Sequence, residues 1–493
     1  LAGMKKRSIN MPIFSPRRFQ SAYLPVERDE EWLVRFFTAL ERPAKGLLFG
    51  CRMCGNCILQ ETAFVCPMTC AKGLRNGFCG EATEEHCVVD SSRACTWLRI
   101  YRRAERMGRL EKLLEINAPI NGAKAGHSAW LPFAKFWSER EQPRLADLVI
   151  NPQKFLKEWD GLCFEFRQPE WWQGDAEYHA PASREPVSRL ERALRTRPFI
   201  ITTEVEPPEG CTPGEVIEKC QALAPYVVSI NFSDNAFATS RMSSLACSKL
   251  CLESGGEAVL QIQARDRSRN GIVSDVIGAA AMGVRNILCL GGDYHNKSPE
   301  IYPVQPNQFD IDAVQMLWML RRLRDEGRLA DGREVEDRPG YFLGAAGAPF
   351  TLKPEYSALR LEKKINAGAQ FIQTQMVFDI PRFEAWVEAC EKRSLLDKAA
   401  LLVGVYPLRN AEDAHLMDME PGITIPEDIL KRMDAAAEKD RNKSTGSNTE
   451  EFQEKESHQI TRELFERLRT LPGIRGIHLM AGGQENVVPL LLE

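Results

Sequence analysis

The sequence lacks the long apolar run and the surplus of one charge that membrane spans and nucleic-acid-binding surfaces require. No stretch approaches the roughly 20 apolar residues that cross a bilayer, and the amino-terminal segment has no apolar signal-peptide core. Its 64 lysines and arginines nearly balance its 68 aspartates and glutamates, so no overall field attracts nucleic acid or anionic lipid. We therefore expect a cytoplasmic protein that acts on small molecules and contacts neither membrane nor nucleic acid.

Histidine is scarce, at seven residues, whereas cysteine is abundant, at fifteen. Because cytosolic thiols are kept reduced, this abundance favours metal binding over disulfides. Eight cysteines crowd into one short window: Cys51, Cys54, Cys57, Cys66, Cys70, Cys79, Cys87 and Cys95. The other seven are scattered among apolar residues, where cysteine is expected to fill cores. The window therefore predicts a metal-binding module.

The run Cys51-Arg-Met-Cys54-Gly-Asn-Cys57 has the C-x2-C-x2-C spacing with which bacterial ferredoxins bind an iron–sulfur cluster. Cys66, which precedes a proline, could supply the fourth thiolate, although eight residues separate it from Cys57 where a ferredoxin has three. The eight cysteines suffice for one or two [4Fe–4S] clusters. Zinc is the alternative, since C-x2-C and C-x3-C spacings also suit a tetrahedral metal site.

Composition divides the chain into four parts. We expect an amino-terminal extension over residues 1–45, a cysteine-rich metal-binding domain over 46–112, a connector over 113–197 and a larger domain over 198–493. Helical spacing predicts one helix over Asp29–Leu40 and a basic helix over Trp97–Leu114. The five arginines of the basic helix form either a solvated face or a docking site for an acidic electron carrier.

From Pro198 onward, short β-branched runs alternate with helix-length connections. Eight such runs over about 295 residues predict an α/β fold, a parallel (β/α)8 TIM barrel, with a doubly wound sheet as the alternative. The predicted strands are Phe199–Val205, Tyr226–Asn231, Ala258–Gln263, Asn286–Leu290, Tyr341–Ala345, Phe371–Met376, Ala400–Val405 and Gly476–Met480.

Polar residues stand at the carboxyl ends of these strands, where the active site of such a barrel lies. Glu204 lies in an apolar run, and burial there raises the pKa of a carboxyl, so Glu204 is a candidate general acid, with an exposed or ion-paired glutamate as the alternative. The pair Gly291-Gly292 allows a flat ligand to approach the backbone. The amide of Gln375 suits hydrogen bonding to the edge of a heteroaromatic ring. His478 is expected to be a hydrogen-bonded core histidine. Together these residues predict a polar mouth for a planar, nitrogen-rich ligand.

Four motifs in this order resemble the methylenetetrahydrofolate reductase family over about residues 198–493. They are Glu204-Val-Glu-Pro-Pro, Gly291-Gly-Asp293, Lys364-Ile-Asn-Ala-Gly368-Ala and Thr374-Gln375-Met-Val-Phe378-Asp379. The cysteine window is similar to the small iron–sulfur or zinc-containing partner subunit of such reductases in anaerobic one-carbon metabolism. Partner and reductase would here be fused in one chain.

The resemblance implies a bound flavin, FAD or FMN, that passes a hydride to 5,10-methylenetetrahydrofolate and yields 5-methyltetrahydrofolate. Glu204 matches the acid that protonates folate N10, which makes it one catalytic residue. Asp293, the second, matches the carboxylate that lies by the flavin and hydrogen-bonds the pterin, and Gln375 matches an amide that contacts folate. Lys364 and Gly292 match flavin-binding positions.

Three positions depart from the family pattern at the cofactor site. Asn231 stands where members that use NADH carry a threonine, Gln261 replaces a flavin-contacting histidine, and Gly291 replaces an arginine. These changes favour a ferredoxin-like redox protein as donor, with electrons entering through iron–sulfur centres, and leave NAD(P)H as the fallback. The alternatives are the same barrel run oxidatively on 5-methyltetrahydrofolate, or a non-catalytic folate- or flavin-binding subunit with a zinc scaffold. The sequence also leaves open whether the chain forms a homo-oligomer.

Overall fold

The computed structural model describes residues 31–167, 185–292, 309–442, 450–481 and 483–492. At its centre is a closed parallel barrel in which each strand pairs with its neighbours in sequence and the last strand pairs with the first. The strands are β1 (Ile200–Val205), β2 (Ser229–Phe232), β3 (Ala258–Gln263), β4 (Asn286–Leu290), β5 (Phe342–Gly347), β6 (Phe371–Met376), β7 (Ala400–Val405) and β8 (Ile474–Met480). The predicted (β/α)8 barrel is confirmed, and β3, β4, β6 and β7 have the predicted bounds.

Helices precede the barrel and alternate with its strands. Those before it are α1 (Glu31–Phe49), α2 (Thr96–Arg106), α3 (Trp130–Ser138), α4 (Asp147–Ile150), α5 (Pro152–Arg167) and α6 (Arg189–Thr196). Those that follow are α7 (Pro213–Leu223), α8 (Ser244–Glu253), α9 (Arg269–Ala281), α10 (Ala313–Glu326), α11 (Pro354–Ala367), α12 (Ile380–Glu391), α13 (Ala411–Asp418), α14 (Glu427–Arg441), α15 (Glu451–Arg469) and α16 (Val487–Leu492). Within the described segments, no helix has the length and apolarity needed to cross a bilayer.

Two predicted helices have different bounds in the structure. Helix α1 continues past Leu40 to Phe49, and the predicted start at Asp29 lies outside the described residues. The basic helix stops at Arg106, because Gly108 adopts a left-handed backbone conformation with φ of 63° that ends a helix. A short 3-10 helix, Leu110–Leu114, then completes the predicted segment.

The barrel interior changes from apolar to polar toward the carboxyl ends of the strands. The apolar level consists of Ile200, Val259, Leu288, Phe342, Phe371 and Leu402. Helix α6 covers this level with Leu190, Ala193 and Leu194. Buried polar side chains lie closer to the carboxyl ends, on β1, β2, β3, β6 and β8: Thr202, Asn231, Gln261, Gln373 and His478. Because alternate residues of a strand point inward, β1, β3 and β6 contribute to both levels. The fold therefore places a polar layer beneath the mouth of the barrel.

The cysteine module, residues 46–112, packs against the barrel and shares a core with it. Phe78, Trp97 and Tyr101 of the module lie in one apolar cluster with Tyr356 and Leu359 of α11. The ring centroids of Tyr101 and Tyr356 are 5.0 Å apart. At the amino-terminal end of α10, Asn76 Nδ2 also donates a hydrogen bond of 3.0 Å to Asp312 Oδ2. These contacts fix the module beside the mouth of the barrel.

Candidate functional site

A cavity opens between the carboxyl ends of the strands and the cysteine module. Barrel residues on its wall include Gln263, Gly291, Gly292, Arg360, Lys364 and Gln375. Module residues on its wall include Lys72, Cys79, Gly80 and Glu81. This mouth cavity is therefore composite, because neither the barrel nor the module forms it alone.

Polar atoms on the wall of the mouth cavity have no partner in the described part of the chain. They are Gln263 Oε1, Gln375 Oε1 and Arg360 Nε. Buried polar groups are nearly always hydrogen-bonded, so these atoms fit a ligand that carries both donors and negative charge. Gly292 lies beside them with φ of +95°, and a Cβ built there would stand 2.6 Å from Gln263 Oε1. The unpaired atoms together fit a flavin, which carries a ring N–H, ring acceptors and a phosphate.

The predicted site residues lie at three depths. Gly292, Lys364 and Gln375 line the mouth cavity, and Gln261 contacts Glu204 below it. Lys364 Nζ donates to the carbonyl of Ala346 at 2.6 Å, and burial holds the pKa of Lys364 well below its ordinary value.

Asn231 lies deeper still, in the buried polar layer under the mouth. Asp293 lies outside the described residues. The wall residues Arg360 and Lys72 were not predicted from the sequence, and Cys79 was predicted as a metal ligand but not as part of this cavity. Arg360 precedes Lys364 by one helical turn, a spacing that places both on one face and could have identified it.

Glu204 lies at the end of β1 with its side chain 25% exposed. Gln261 Nε2 donates a hydrogen bond of 3.1 Å to Glu204 Oε2, and His478 Nε2 lies 3.8 Å from the same oxygen. Burial alone raises the pKa of Glu204, but the His478 ring and the Gln261 amide outweigh burial and lower it. The predicted raised pKa is therefore wrong for the ligand-free protein, in which Glu204 is ionised at neutral pH.

His478 is buried, and hydrogen bonds orient its ring. Gln373 Nε2 lies 3.2 Å from His478 Nδ1, and Thr202 Oγ1 lies 2.9 Å from that nitrogen. Asn231 Nδ2 in turn donates to Gln373 Oε1 at 2.7 Å. Since an amide N–H only donates, His478 Nδ1 accepts this hydrogen bond, and Nε2 on the other side of the ring faces Glu204. His478 is therefore the hydrogen-bonded core residue that was predicted.

The substitution His478→Asn tests this pair through the pH dependence of stability. A carboxyl whose pKa is lowered by folding stabilises the protein above its unfolded pKa, near 4.5, and this stabilisation is lost as the pH falls through the folded pKa. Without His478, burial raises the pKa of Glu204 instead. We expect the variant to lose about 1–3 kcal/mol of unfolding free energy at pH 7 and less at pH 4, measured by urea denaturation.

The control for this prediction is the same substitution in a Glu204→Gln background. With no carboxyl to stabilise, the effect of His478→Asn should then be the same at both pH values. His478 would not act on Glu204 if His478→Asn lowered the unfolding free energy by the same amount at pH 7 and at pH 4 in the wild-type background as well.

Gly292 offers a second test, with Gly291 as its matched neighbour. A side chain at Gly292 would combine an unfavourable φ with close contacts to Gln263 and Arg265, whereas a Cβ at Gly291 meets nothing within 4 Å. We expect Gly292→Ala to lower the unfolding free energy by about 1–3 kcal/mol and Gly291→Ala to change it far less. Equal effects of the two substitutions in urea denaturation would contradict the described backbone.

The eight module cysteines fall into two groups of four. The first set lines one small cavity and consists of Cys51, Cys54, Cys57 and Cys66. The other four lie close enough to influence one another's ionisation and form the second set: Cys70, Cys79, Cys87 and Cys95. Four thiols are the donor set that an iron–sulfur cluster or a structural zinc ion requires.

The thiols of each set lie near one another but do not converge on a common point. No three cysteine, histidine, aspartate or glutamate side chains among the described residues form a group that could hold a metal ion. Burial raises the pKa of Cys70 to about 12 and that of Cys95 to about 11, so both thiols are protonated. Metal binding would therefore move the thiols together and release protons.

Cys79 connects the second cysteine set to the mouth cavity, because it belongs to the set and lines the cavity wall. A buried ion pair of 2.7 Å, Lys72 Nζ with Glu81 Oε2, lies on the same wall. The mouth cavity and the cavity of the first set share no lining residue. The second set is therefore the one next to the barrel.

The fold and the site define a (β/α)8-barrel enzyme whose mouth is completed by a cysteine-rich module. Residues 189–493, well over half of the chain, match the family described as methylenetetrahydrofolate reductase. The chain therefore belongs to the methylenetetrahydrofolate reductase family. Residues 33–123, which contain all eight module cysteines, match a second family described as methylene-tetrahydrofolate reductase C terminal. The resemblance of the strand-end motifs to this family is thus confirmed.

The chain is similar to two named reductases. It is 29% identical over 157 residues to the "Probable methylenetetrahydrofolate reductase (NADPH)" of Caenorhabditis elegans, covering 31% of this chain and 20% of that protein. It is 22% identical over 212 residues to the 5,10-methylenetetrahydrofolate reductase of Buchnera aphidicola subsp. Baizongia pistaciae (strain Bp), covering 43% of this chain and 65% of that protein. The chain thus spans about a fifth of the length of the Caenorhabditis elegans protein and just under two thirds of the length of the Buchnera aphidicola protein.

Among solved structures, the chain is similar to an uncharacterized protein from Clostridium thermocellum that binds two copies of 5-methyl-5,6,7,8-tetrahydrofolic acid. The identity is 15% and the TM-score 0.41, and the match covers 62% of this chain and 98% of that protein.

Proposed function

We propose that this chain reduces 5,10-methylenetetrahydrofolate to 5-methyltetrahydrofolate with a flavin at the mouth of the barrel, fed by iron–sulfur clusters of the cysteine module. The composite mouth cavity carries the proposal. Gly292, Lys364 and Gln375, which match ligand-binding positions of the family, share its wall with Cys79 of the second set. A redox centre held by that set would therefore stand next to whatever the barrel binds.

The flavin would be held by Lys364, by the backbone at Gly292 and by the unpaired oxygen of Gln263. When bound, it supplies the hydride that the methylene carbon of the substrate receives. Arg360 adds a positive charge to the same wall and suits the phosphate of either FMN or FAD.

Glu204 would supply the proton that the reaction needs. The bond between the methylene carbon and N10 breaks, a C–H bond forms and N10 gains a proton, so the substrate takes up two electrons and two protons in total. Glu204 is ionised without ligand and must first take a proton, which solvent can supply because its side chain is 25% exposed. A folate that covers the mouth would remove the remaining exposure of Glu204 and raise its pKa toward the range of a general acid.

The two cysteine sets would each hold one [4Fe–4S] cluster, which supplies electrons singly. Four thiols in each set support this assignment, and the position of Cys79 supports delivery from the second set to the barrel. If the sets instead hold zinc, the module is a scaffold and NAD(P)H becomes the donor.

A single-turnover experiment tests the proposed reaction. The flavin of the anaerobic full-length protein is reduced chemically, and 5,10-methylenetetrahydrofolate is then added. We expect reoxidation of the flavin, followed by its absorbance, and one equivalent of 5-methyltetrahydrofolate for each flavin, identified by mass spectrometry. A reduced flavin that stays reduced, with no methyl product, would refute the proposed function.

A further inference from the structure

We propose that the cysteine module takes part in substrate binding, because its Gly80 backbone and the Gly422 turn of the barrel clamp the side-chain amide of Gln375. The Gly422 turn consists of residues 419–426, between α13 and α14. The inference rests on the proposed function, in which Gln375 contacts folate. It adds what that function leaves open, namely how this amide is positioned and which part of the module shares the folate subsite.

The side-chain amide of Gln375 lies between two glycine backbones. A Cβ built at Gly80 would stand 3.8 Å from Gln375 Nε2, which is an ordinary van der Waals contact. A Cβ built at Gly422 would stand 3.2 Å from Gln375 Oε1 and 3.4 Å from Nε2. Oε1 is buried and has no hydrogen-bond partner among the described residues. Packing from two sides therefore positions the amide, and its oxygen is left for a ligand in the mouth cavity.

The module and the Gly422 turn also meet each other at this point. A Cβ built at Gly422 would stand 2.9 Å from the carbonyl oxygen of Gly80, which is too close for nonbonded atoms. Gly422 also has φ of +88°, in the left-handed region that favours glycine. The turn therefore closes against the module only with glycine at this position. Gly80 directly follows Cys79, so the loop that contacts the amide also supplies a thiol to the second cysteine set.

The Gly422 turn is fixed to the barrel by hydrogen bonds and by apolar packing. The Ile425 amide donates a hydrogen bond of 2.8 Å to Asp418 Oδ1, and Arg382 Nη1 of α12 donates one of 2.8 Å to Thr424 Oγ1. Ile425 is also buried in an apolar cluster with residues of α13 and α14. These contacts hold the turn against the end of β6, where Gln375 lies.

The module loop on the other side of the amide is fixed as well. Phe78 is buried in the core that the module shares with α11, and the guanidinium of Arg360 lies 5.1 Å from the centroid of its ring. Glu81, which follows Gly80, belongs to the buried ion pair on the cavity wall. Because both sides of the clamp are anchored, the Gln375 amide is positioned before a ligand arrives, which lowers the cost of ordering it on binding.

Gly422→Ala tests the turn side of the clamp, with Gly255→Ala as its matched control. The two glycines have nearly the same φ, +88° and +87°, but a Cβ at Gly255 meets nothing within 4 Å. Both substitutions should strain the backbone similarly, whereas only Gly422→Ala displaces the turn or the Gln375 amide. The probe is 5-methyltetrahydrofolate, whose binding to anaerobically purified full-length protein is measured by isothermal titration calorimetry. We expect binding at least about 10-fold weaker for Gly422→Ala and within about 2-fold of wild type for Gly255→Ala.

Gly80→Val tests the module side of the clamp, with Gly46→Val as its control. A Cβ at Gly80 is already in contact with the amide, so the two methyl groups of valine would press on Gln375, whereas a Cβ at Gly46 meets nothing within 4 Å. We expect Gly80→Val to weaken binding of the same probe at least about 5-fold and Gly46→Val to leave it unchanged.

Single turnovers with chemically reduced flavin distinguish positioning from general damage to the fold. Gly422→Ala and Gly80→Val should raise the half-saturating concentration of 5,10-methylenetetrahydrofolate more than they lower the limiting rate, because Gln375 transfers neither hydride nor proton. Equal loss of the limiting rate in these variants and in their controls would indicate damage to the fold and overturn the clamp.

Binding results can also overturn the clamp. Binding by Gly422→Ala equal to that by Gly255→Ala would do so, and binding by Gly80→Val equal to that by Gly46→Val would place the module outside the folate subsite. Normal turnover of wild-type protein, with binding that ignores both clamp glycines, would refute the clamp alone. Absent turnover in wild-type protein whose binding of 5-methyltetrahydrofolate depends on both glycines would refute the reaction alone.

Discussion

Glu204→Gln is expected to lower the rate of 5,10-methylenetetrahydrofolate reduction by at least about 100-fold, the lower end of the contribution of a general acid. The amide keeps the size of the side chain but has no acidic proton to give to N10. Reduction of the flavin itself involves no proton from this side chain, so it should proceed at the wild-type rate. Stopped-flow absorbance measures the two steps separately.

Glu206→Gln is the matched control for this substitution. Glu206 follows β1 two residues after Glu204, but it pairs with Arg241 at 2.9 Å, whereas Glu204 contacts Gln261 and His478. We expect this variant to reduce folate at close to the wild-type rate. Near-normal turnover of Glu204→Gln would remove Glu204 from the proposed mechanism, and equal losses in both variants would indicate a general effect of charge at the mouth.

Cys95→Ala is expected to halve the iron content of anaerobically purified protein, from about eight to about four atoms per chain, because two [4Fe–4S] clusters hold eight irons. The variant should also lose reduction of its flavin by ferredoxin, since the second set lies next to the mouth cavity. Turnover of chemically reduced flavin with folate should survive, because Cys95 does not line that cavity.

The control is Cys211→Ala, which changes an exposed cysteine outside the module. Its iron content and its reduction by ferredoxin should equal those of wild type. Cys54→Ala, in the first set, should also halve the iron content. If Cys95→Ala and Cys54→Ala each removed one zinc atom and no iron, the sets would be structural zinc sites.

The barrel strands could be predicted from the sequence because their signal is local. Each is a short apolar run bounded by polar or glycine-rich sequence, and the strand-end motifs occur within or just after such runs. The bounds of α2 depended on one residue, Gly108, whose left-handed conformation ends the helix earlier than the apolar spacing alone suggests. Signals of this kind act over a few residues.

The electrostatics of Glu204 could not be predicted in the same way. Its burial in β1 is a local property, but the partners that lower its pKa come from β3 and β8. The composite cavity also depends on long-range packing, since nothing near Cys79 indicates that it meets Gln263 and Lys364 of the barrel. The sequence identified the types of residue at the site, whereas their pairing required the fold.

The most direct test of the account is the cofactor content of anaerobically purified protein, from its absorbance spectrum with iron, sulfide, zinc and flavin analysis. We expect one flavin per chain, with about eight irons and about as many sulfides, because two clusters held by eight thiolates have this capacity. Flavin with zinc and no iron would contradict electron delivery through the cysteine module. Protein that binds no flavin would contradict the reductase itself.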